Sequence, residues 1–310
     1  MTKVGLLSVL LSLSFAVNLY LLFISPSSEG STKNIQPETE KYGFLSKRIF
    51  AENQNDILIN FVPLRAAARE YIANQKVSIG YYIEYLPSGT SIGVNDQMEI
   101  RIASLIKVPI VMAVYKEIEQ GNLSKDGQLT LSKNDINKDF GNLWERGEGA
   151  KIEVDEAVDL ALTKSDNTAA RVLNSNLPEG AVDRVYDSLD IPKNFKDDHP
   201  IISPKNYTSI LRSLYLSSYL TRDSSNEILT KLTKTEFTNM LPAGVNAGVK
   251  VAHKMGVYDA QETFSDCGIV YVPGRPYAIC IMVKGSESEA VEHIRLLSKM
   301  AFEYVSKASR

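Results

Sequence analysis

The sequence predicts a mixed α/β (α+β) chain: one antiparallel sheet, flanked by N- and C-terminal helices, joined to an all-helical lobe. Two observations carry this. Strand patterns occur at both ends of the chain, in Val77–Leu86 with Ser91–Val94 and again in Val249–His253 and Gly268–Val283, whereas the stretch from Ser104 to about Asn239 is helical in period. Strands that far apart in sequence form a common sheet only if the terminal segments come together and the helices between them pack alongside as a lobe.

The elements follow in order. Asp56–Asn74 places Ile57, Leu58, Ile59, Phe61, Leu64, Ala68 and Tyr71 on a helix that must accommodate Pro63. Val77–Leu86, the turn Pro87–Ser88–Gly89–Thr90 and Ser91–Val94 read as a hairpin. Helical patterns follow at Ile106–Gln120, Val154–Leu162, Thr168–Leu173, Ala181–Leu189, Pro204–Tyr215 and Ser225–Leu232. A second hairpin, Gly268–Val272 with Tyr277–Val283, turns near Pro273–Gly274–Arg275, and Glu287–Ser306 closes the chain as a helix. That turn sets Cys280 opposite Ile269, so the only two cysteines, Cys267 and Cys280, are expected as two buried thiols.

With 310 residues, 44% of them hydrophobic, the chain can build a large core, and a net charge of -3 gives no general attraction to nucleic acid, which is not expected as a partner. His199, His253 and His293 are scattered, so neither a metal nor a cofactor is expected. Val4–Ile24 contains no charged residue and matches the roughly 20 residues needed to cross a bilayer. Residues 1–24 therefore read as a membrane anchor or uncleaved signal, and residues 25–45 as a flexible tether. Residues 46–310 read as the catalytic domain, with its helical lobe at about 104–245. Lys3 ahead of the apolar run predicts a single-pass protein of the cell membrane with that domain outside the cytoplasm.

The chemistry starts at Ala103–Ser104–Leu105–Ile106–Lys107–Val108–Pro109. Ser104 and Lys107 are three residues apart at the mouth of an apolar helix and so share a face. A lysine amine takes a serine proton only when neutral, which requires burial or a second cation nearby. Two further motifs, weak alone, follow: Ser165–Asp166–Asn167 in a loop between helices and Lys254–Met255–Gly256 at the end of a strand pattern. In this order the three sets resemble those of the penicillin-recognising serine enzymes, the class A β-lactamases and penicillin-binding peptidases. Ser165 lies 61 residues beyond Ser104 and Lys254 lies 89 beyond Ser165; the flanking Thr168–Ala169–Ala170 and Leu241–Pro242–Ala243–Gly244 strengthen the likeness.

The resemblance covers roughly Leu58 to the C-terminus and implies a β-lactamase/transpeptidase-like fold. It implies a serine hydrolase that forms an acyl-enzyme with a β-lactam or peptidoglycan-derived amide. Ser104 would be the nucleophile, Lys107 its proton acceptor, Ser165 the proton relay to the leaving nitrogen and Lys254 the second cation. Asn167 would hold the substrate acylamide, and the backbone N–H groups of Ser104 and of Val257, after Gly256, would form the oxyanion hole.

Three departures bear on turnover. No Glu-x-x-Leu-Asn lies between Asn167 and Pro204; Glu179 is the one glutamate there, and Asp190–Ser203 is short for the loop that presents the deacylation base. Asp197 or Asp198 are candidates to stand in for that base, although no local pattern singles them out. Met255 stands where the family has a hydroxyl for the substrate carboxylate, and Cys267 where many members have an arginine. Slow deacylation is therefore expected, and the alternative is a non-catalytic cell-wall binding protein on the same scaffold.

Overall fold

The computed structural model describes residues 43–44, 59–196, 199–258, 260 and 262–307, all within one compact unit, Tyr42–Arg310. The segment Val4–Ile24, residues 25–42 of the expected tether, and Asp197 and Asp198 lie outside the described residues. Among the described residues no helix is long and apolar enough to cross a membrane.

Helix α1 is Val62–Ala73, with Pro63 in its first turn. A proline costs nothing there, because the first turn's N–H groups have no helical partner. The helix expected from Asp56 therefore begins at Val62 within the described residues. Strands β1 (Ser78–Tyr85) and β2 (Thr90–Val94) form the first hairpin, and β3 (Ile100–Arg101) leads into a 3-10 turn, Ala103–Ile106, and α2 (Lys107–Glu119).

A small hairpin of β4 (Gln128–Thr130) and β5 (Lys151–Glu153) precedes α3 (Val154–Thr163), α4 (Asn167–Ser175) and α5 (Ala181–Ser188). Strands β6 (Asn194–Lys196) and β7 (His199–Ile202) pair with each other, and β7 also pairs with β3. Helices α6 (Pro204–Leu216) and α7 (Arg222–Leu232) follow, then β8 (Val251–Tyr258), β9 (Thr263–Val270), β10 (Tyr277–Lys284) and α8 (Glu287–Lys307).

The main sheet runs β2-β1-β10-β9-β8, antiparallel throughout, so the chain's two ends meet at the β1–β10 pairing, with Ile83 opposite Ile279. Both faces are covered. Tyr277, Ile279, Ile281 and Val283 of β10 pack with α1 and with Ala290, Ile294, Leu297, Ala301 and Val305 of α8. Ala278, Cys280 and Met282, on the alternate face, join the larger core of α2 to α7.

The β9–β10 register corrects the expectation for the cysteines. β9 ends at Val270, opposite Tyr277, because Val272 leaves the ladder for a turn in which the Arg275 N–H donates to the Val272 carbonyl at 2.8 Å. Pairing shifts by two residues from the expected register, Cys267 falls directly opposite Cys280 at a Cα–Cα distance of 4.0 Å, and the two form a disulfide rather than two thiols. A second difference concerns Lys254, which lies in the middle of β8 rather than at a strand end.

Candidate functional site

Four segments build the site. Ser104 sits in the 3-10 turn, entered through Ala103 at φ +45°, and Lys107 is the first residue of α2. Ser165 adopts φ +55° in the tight link between α3 and α4, a conformation that a residue with a Cβ takes only under outside constraint. That constraint is Asp166, the fully buried N-cap of α4. Its carboxylate accepts from the backbone N–H groups of Ala169, Asn142 and Leu143, each at 2.8 Å. Gly141, at φ +82°, leaves room for it: a Cβ there would lie 2.1 Å from Asp166 Oδ2.

These placements converge on Ser165. Lys107 Nζ lies 2.8 Å from Ser104 Oγ and 3.1 Å from Ser165 Oγ, and donates to the Ser165 carbonyl at 2.6 Å and to Asn167 Oδ1 at 2.7 Å. Lys254 Nζ reaches Ser165 Oγ from the sheet side at 2.8 Å. The two amines thus flank one buried hydroxyl. Asn167 is fixed in turn, because its Nδ2 donates to Asn137 Oδ1 at 2.9 Å.

Burial sets the charge state. Lys107 is 3% exposed and Lys254 fully enclosed. Burial brings the Lys107 amine down to about 7, with nearby Asp166 pulling the other way. Lys254 is lowered well below the ordinary lysine range by burial and by the Lys107 charge, opposed by Asp266. A lysine that loses its proton near neutrality can accept one from Ser104.

Gly256 lets β8 approach the turn that carries Ser104: a Cβ there would meet Ser265 Oγ at 2.7 Å, Leu105 Cγ at 3.0 Å and the Ile102 carbonyl at 3.2 Å. As β8 is the edge strand, Val257 borders an open cleft of about 600 Å³ beside Ser104, Lys107 and Asn167. Met255 is 7% exposed and, by strand alternation, on the face opposite Lys254. Cys267 faces the buried side in its disulfide, with no cation in its place. Sequence reasoning missed the supporting Asn137 and Gly141 and the cleft residues Asp135, Arg171 and Tyr258. They lie far from the motifs in sequence or within ordinary helix and strand patterns, so no local signal marked them.

The β-lactamase enzyme family model matches residues 63–305. The chain belongs to the beta-lactamase enzyme family. It is a serine hydrolase of the β-lactamase type. Among curated relatives it is similar to β-lactamase CARB-3 of Pseudomonas aeruginosa, 22% identical over 69% of this chain and 75% of that one. Among solved structures, PBP-A superposes with a TM-score of 0.72 at 24% identity, over 78% of this chain and 95% of that one. A PBP-A point mutant, as an acyl-enzyme complex with penicillin G, gives 0.73. The β-lactamase of Sphaerobacter thermophilus gives 0.73 at 19% identity, over 81% of this chain and all of the other. These likenesses at low identity place the antiparallel sheet and helical lobe within the β-lactamase/transpeptidase-like fold.

Proposed function

We propose that Ser104 is acylated by β-lactams and by a peptidoglycan-derived amide, and that this family member releases the acyl group slowly. The observation that carries the first part is the buried Lys107 amine, 2.8 Å from Ser104 Oγ and able to be neutral near pH 7. Lys107 takes the Ser104 proton as the hydroxyl attacks the carbonyl, and the N–H groups of Ser104 and Val257 receive the developing oxyanion. Ser165, between the two amines, passes a proton to the leaving nitrogen, and Lys254 holds its hydroxyl in place. Asn167 orients the acylamide.

Slow release rests on the cleft's acids. Asp135 is the only carboxylate among the described lining residues, and Ser132 N–H (2.8 Å), Ser132 Oγ (2.6 Å) and Ser175 Oγ (2.9 Å) all donate to it. A carboxylate occupied in this way is poorly placed to activate water. Glu179 is exposed and outside the lining, and Asn194–Lys196 and His199–Ile202 pair as the β6–β7 hairpin, with β7 against β3.

Incubation with benzylpenicillin followed by intact-protein mass spectrometry is expected to show a persistent adduct that Ser104→Ala lacks. An unmodified mass after prolonged exposure would remove the acylation proposal, and rapid hydrolysis of a chromogenic cephalosporin would remove slow release. The apolar run Val4–Ile24 supports a further part of the proposal, an extracytoplasmic domain held at the cell membrane. Protease digestion of intact cells is expected to remove that domain, and protection of it would reverse the assignment.

A further inference from the structure

The described part of the cleft is not symmetric about Ser104. Its lining includes Asn167 and Arg171 but neither Ser165 nor Lys254, which are buried behind it. If Ser165 delivers the proton to the leaving nitrogen, that nitrogen faces the two lysines and the open volume receives the acyl portion of the substrate. Arg171 lies four residues after Asn167 on α4, one helical turn further along the same face.

Its guanidinium has no acidic partner among the described residues. Several arginines show no ion pair among the described residues, but of these Arg171 is the one that lines the cleft, where its polar contact is a 3.5 Å approach of Nη1 to the Asn134 carbonyl. Asp135, the neighbouring carboxylate, has both oxygens occupied by serine and backbone donors and forms no ion pair with it. A planar donor fork is thus presented, unpaired, in the wall of a substrate cleft. Guanidinium groups bind carboxylates with two parallel hydrogen bonds, which gives geometric selection as well as attraction. Met255 and the disulfide-bonded Cys267 supply neither a hydroxyl nor a cation for a substrate carboxylate.

We infer that Arg171 binds a carboxylate on the acyl portion of the substrate, so that this enzyme prefers anionic acyl donors. The inference rests on the acylation proposed above. One helical turn between Asn167 and Arg171, about 5–6 Å, places that carboxylate several bonds beyond the acylamide that Asn167 holds. A short dicarboxylic side chain has that reach.

The test uses two penicillins that differ only there, 6-aminopenicillanic acid carrying an adipoyl side chain and the same compound with the terminal carboxylate as its primary amide. Second-order rates of Ser104 acylation are read by intact-protein mass spectrometry, and the acid-to-amide ratio within each variant cancels any loss of folded protein. In the unmodified enzyme the ratio is expected to be about two to five, the worth of one exposed ion pair. It is expected to fall to about one in Arg171→Gln, to recover in part in Arg171→Lys, and to shrink with added salt. A ratio near one in the unmodified enzyme, or an unchanged ratio in Arg171→Gln, overturns the inference while leaving acylation intact. If neither penicillin labels Ser104, the acylation proposal fails and this inference with it.

Discussion

Ser165 has two lysines for neighbours, and only burial makes that arrangement useful. In water both amines would be charged near neutrality; burial makes charging either costly, and the Lys107 charge adds to that cost for Lys254. For Lys107, brought down to about 7, the neutral fraction grows as pH rises through that value. Acylation by benzylpenicillin is therefore expected to increase about tenfold from pH 6 to pH 8 and then level off, as measured by stopped-flow or quenched labelling. A rate that stays flat over this range would exclude Lys107 as the proton acceptor. The same shift has a stability consequence. Between pH 7 and the ordinary lysine value the unfolded chain binds a proton at this residue that the folded chain does not, so folding stability rises with pH across that window, and Lys107→Met is expected to flatten the rise in denaturant titrations. Lys254→Ala leaves Ser165 Oγ without its 2.8 Å donor on the sheet side and is expected to slow acylation about a hundredfold while the fold persists. These residues were legible in the sequence from the order and spacing of the motifs and the family resemblance that the motifs carry. Their charge state was not, because it depends on how completely α2, α3 and β8 exclude water.

At the scale of elements, two glycines set the distances between the parts that carry the site. Gly256 brings β8 against the nucleophile turn, and Gly141 makes space for the Asp166 carboxylate. The outcomes of substituting them should differ. Gly256→Ala pushes a β-carbon into Ser265, Leu105 and the Ile102 carbonyl, so the edge strand has to retreat from Ser104; acylation is expected to fall more than tenfold with a smaller change in melting temperature. Gly141→Ala adds positive-φ strain to a 2.1 Å clash and displaces a carboxylate that accepts from three backbone N–H groups, those of Leu143 and Ala169 buried. A loss of about 2–4 kcal/mol in chemical denaturation is expected. A stability equal to that of the unmodified protein would show that Asp166 can move freely. In the sequence the Ser165–Asp166–Asn167 tripeptide reads as a loop between helices, and the structure makes Asp166 the cap of α4. That its carboxylate also pins Asn142 and Leu143, more than twenty residues earlier, follows from packing no local pattern records.

For the whole molecule, the sheet's closure decides what the chain's ends do. β1 pairs with β10 from the far end of the sequence, α1 and α8 cover one face, and the disulfide crosses β9 and β10 beneath Lys254. The loop that this disulfide closes spans 13 residues in separation, for which the loss of unfolded-state entropy is worth about 3 kcal/mol. Replacing both cysteines by alanine is expected to lower stability by about 2–3 kcal/mol, read from the denaturant midpoint at constant slope; an unchanged midpoint would mean that the ladder alone holds the two strands. The sequence by itself determined the element types, because apolar periodicity follows from which side of a strand or helix meets the core. Through the family resemblance its motifs carry, it also marked Ser104, Lys107, Ser165, Asn167 and Lys254 as one set, which the structure brings into hydrogen-bond contact. Only the tertiary structure decided the cysteine pairing, the β6–β7 hairpin against β3 and, among the described residues, the lack of an acidic partner for Arg171. Each depends on register or on the absence of a neighbour. A two-residue change in where β9 leaves the ladder turns two thiols into a bond, and a guanidinium is left unpaired only by what packs, or fails to pack, beside it.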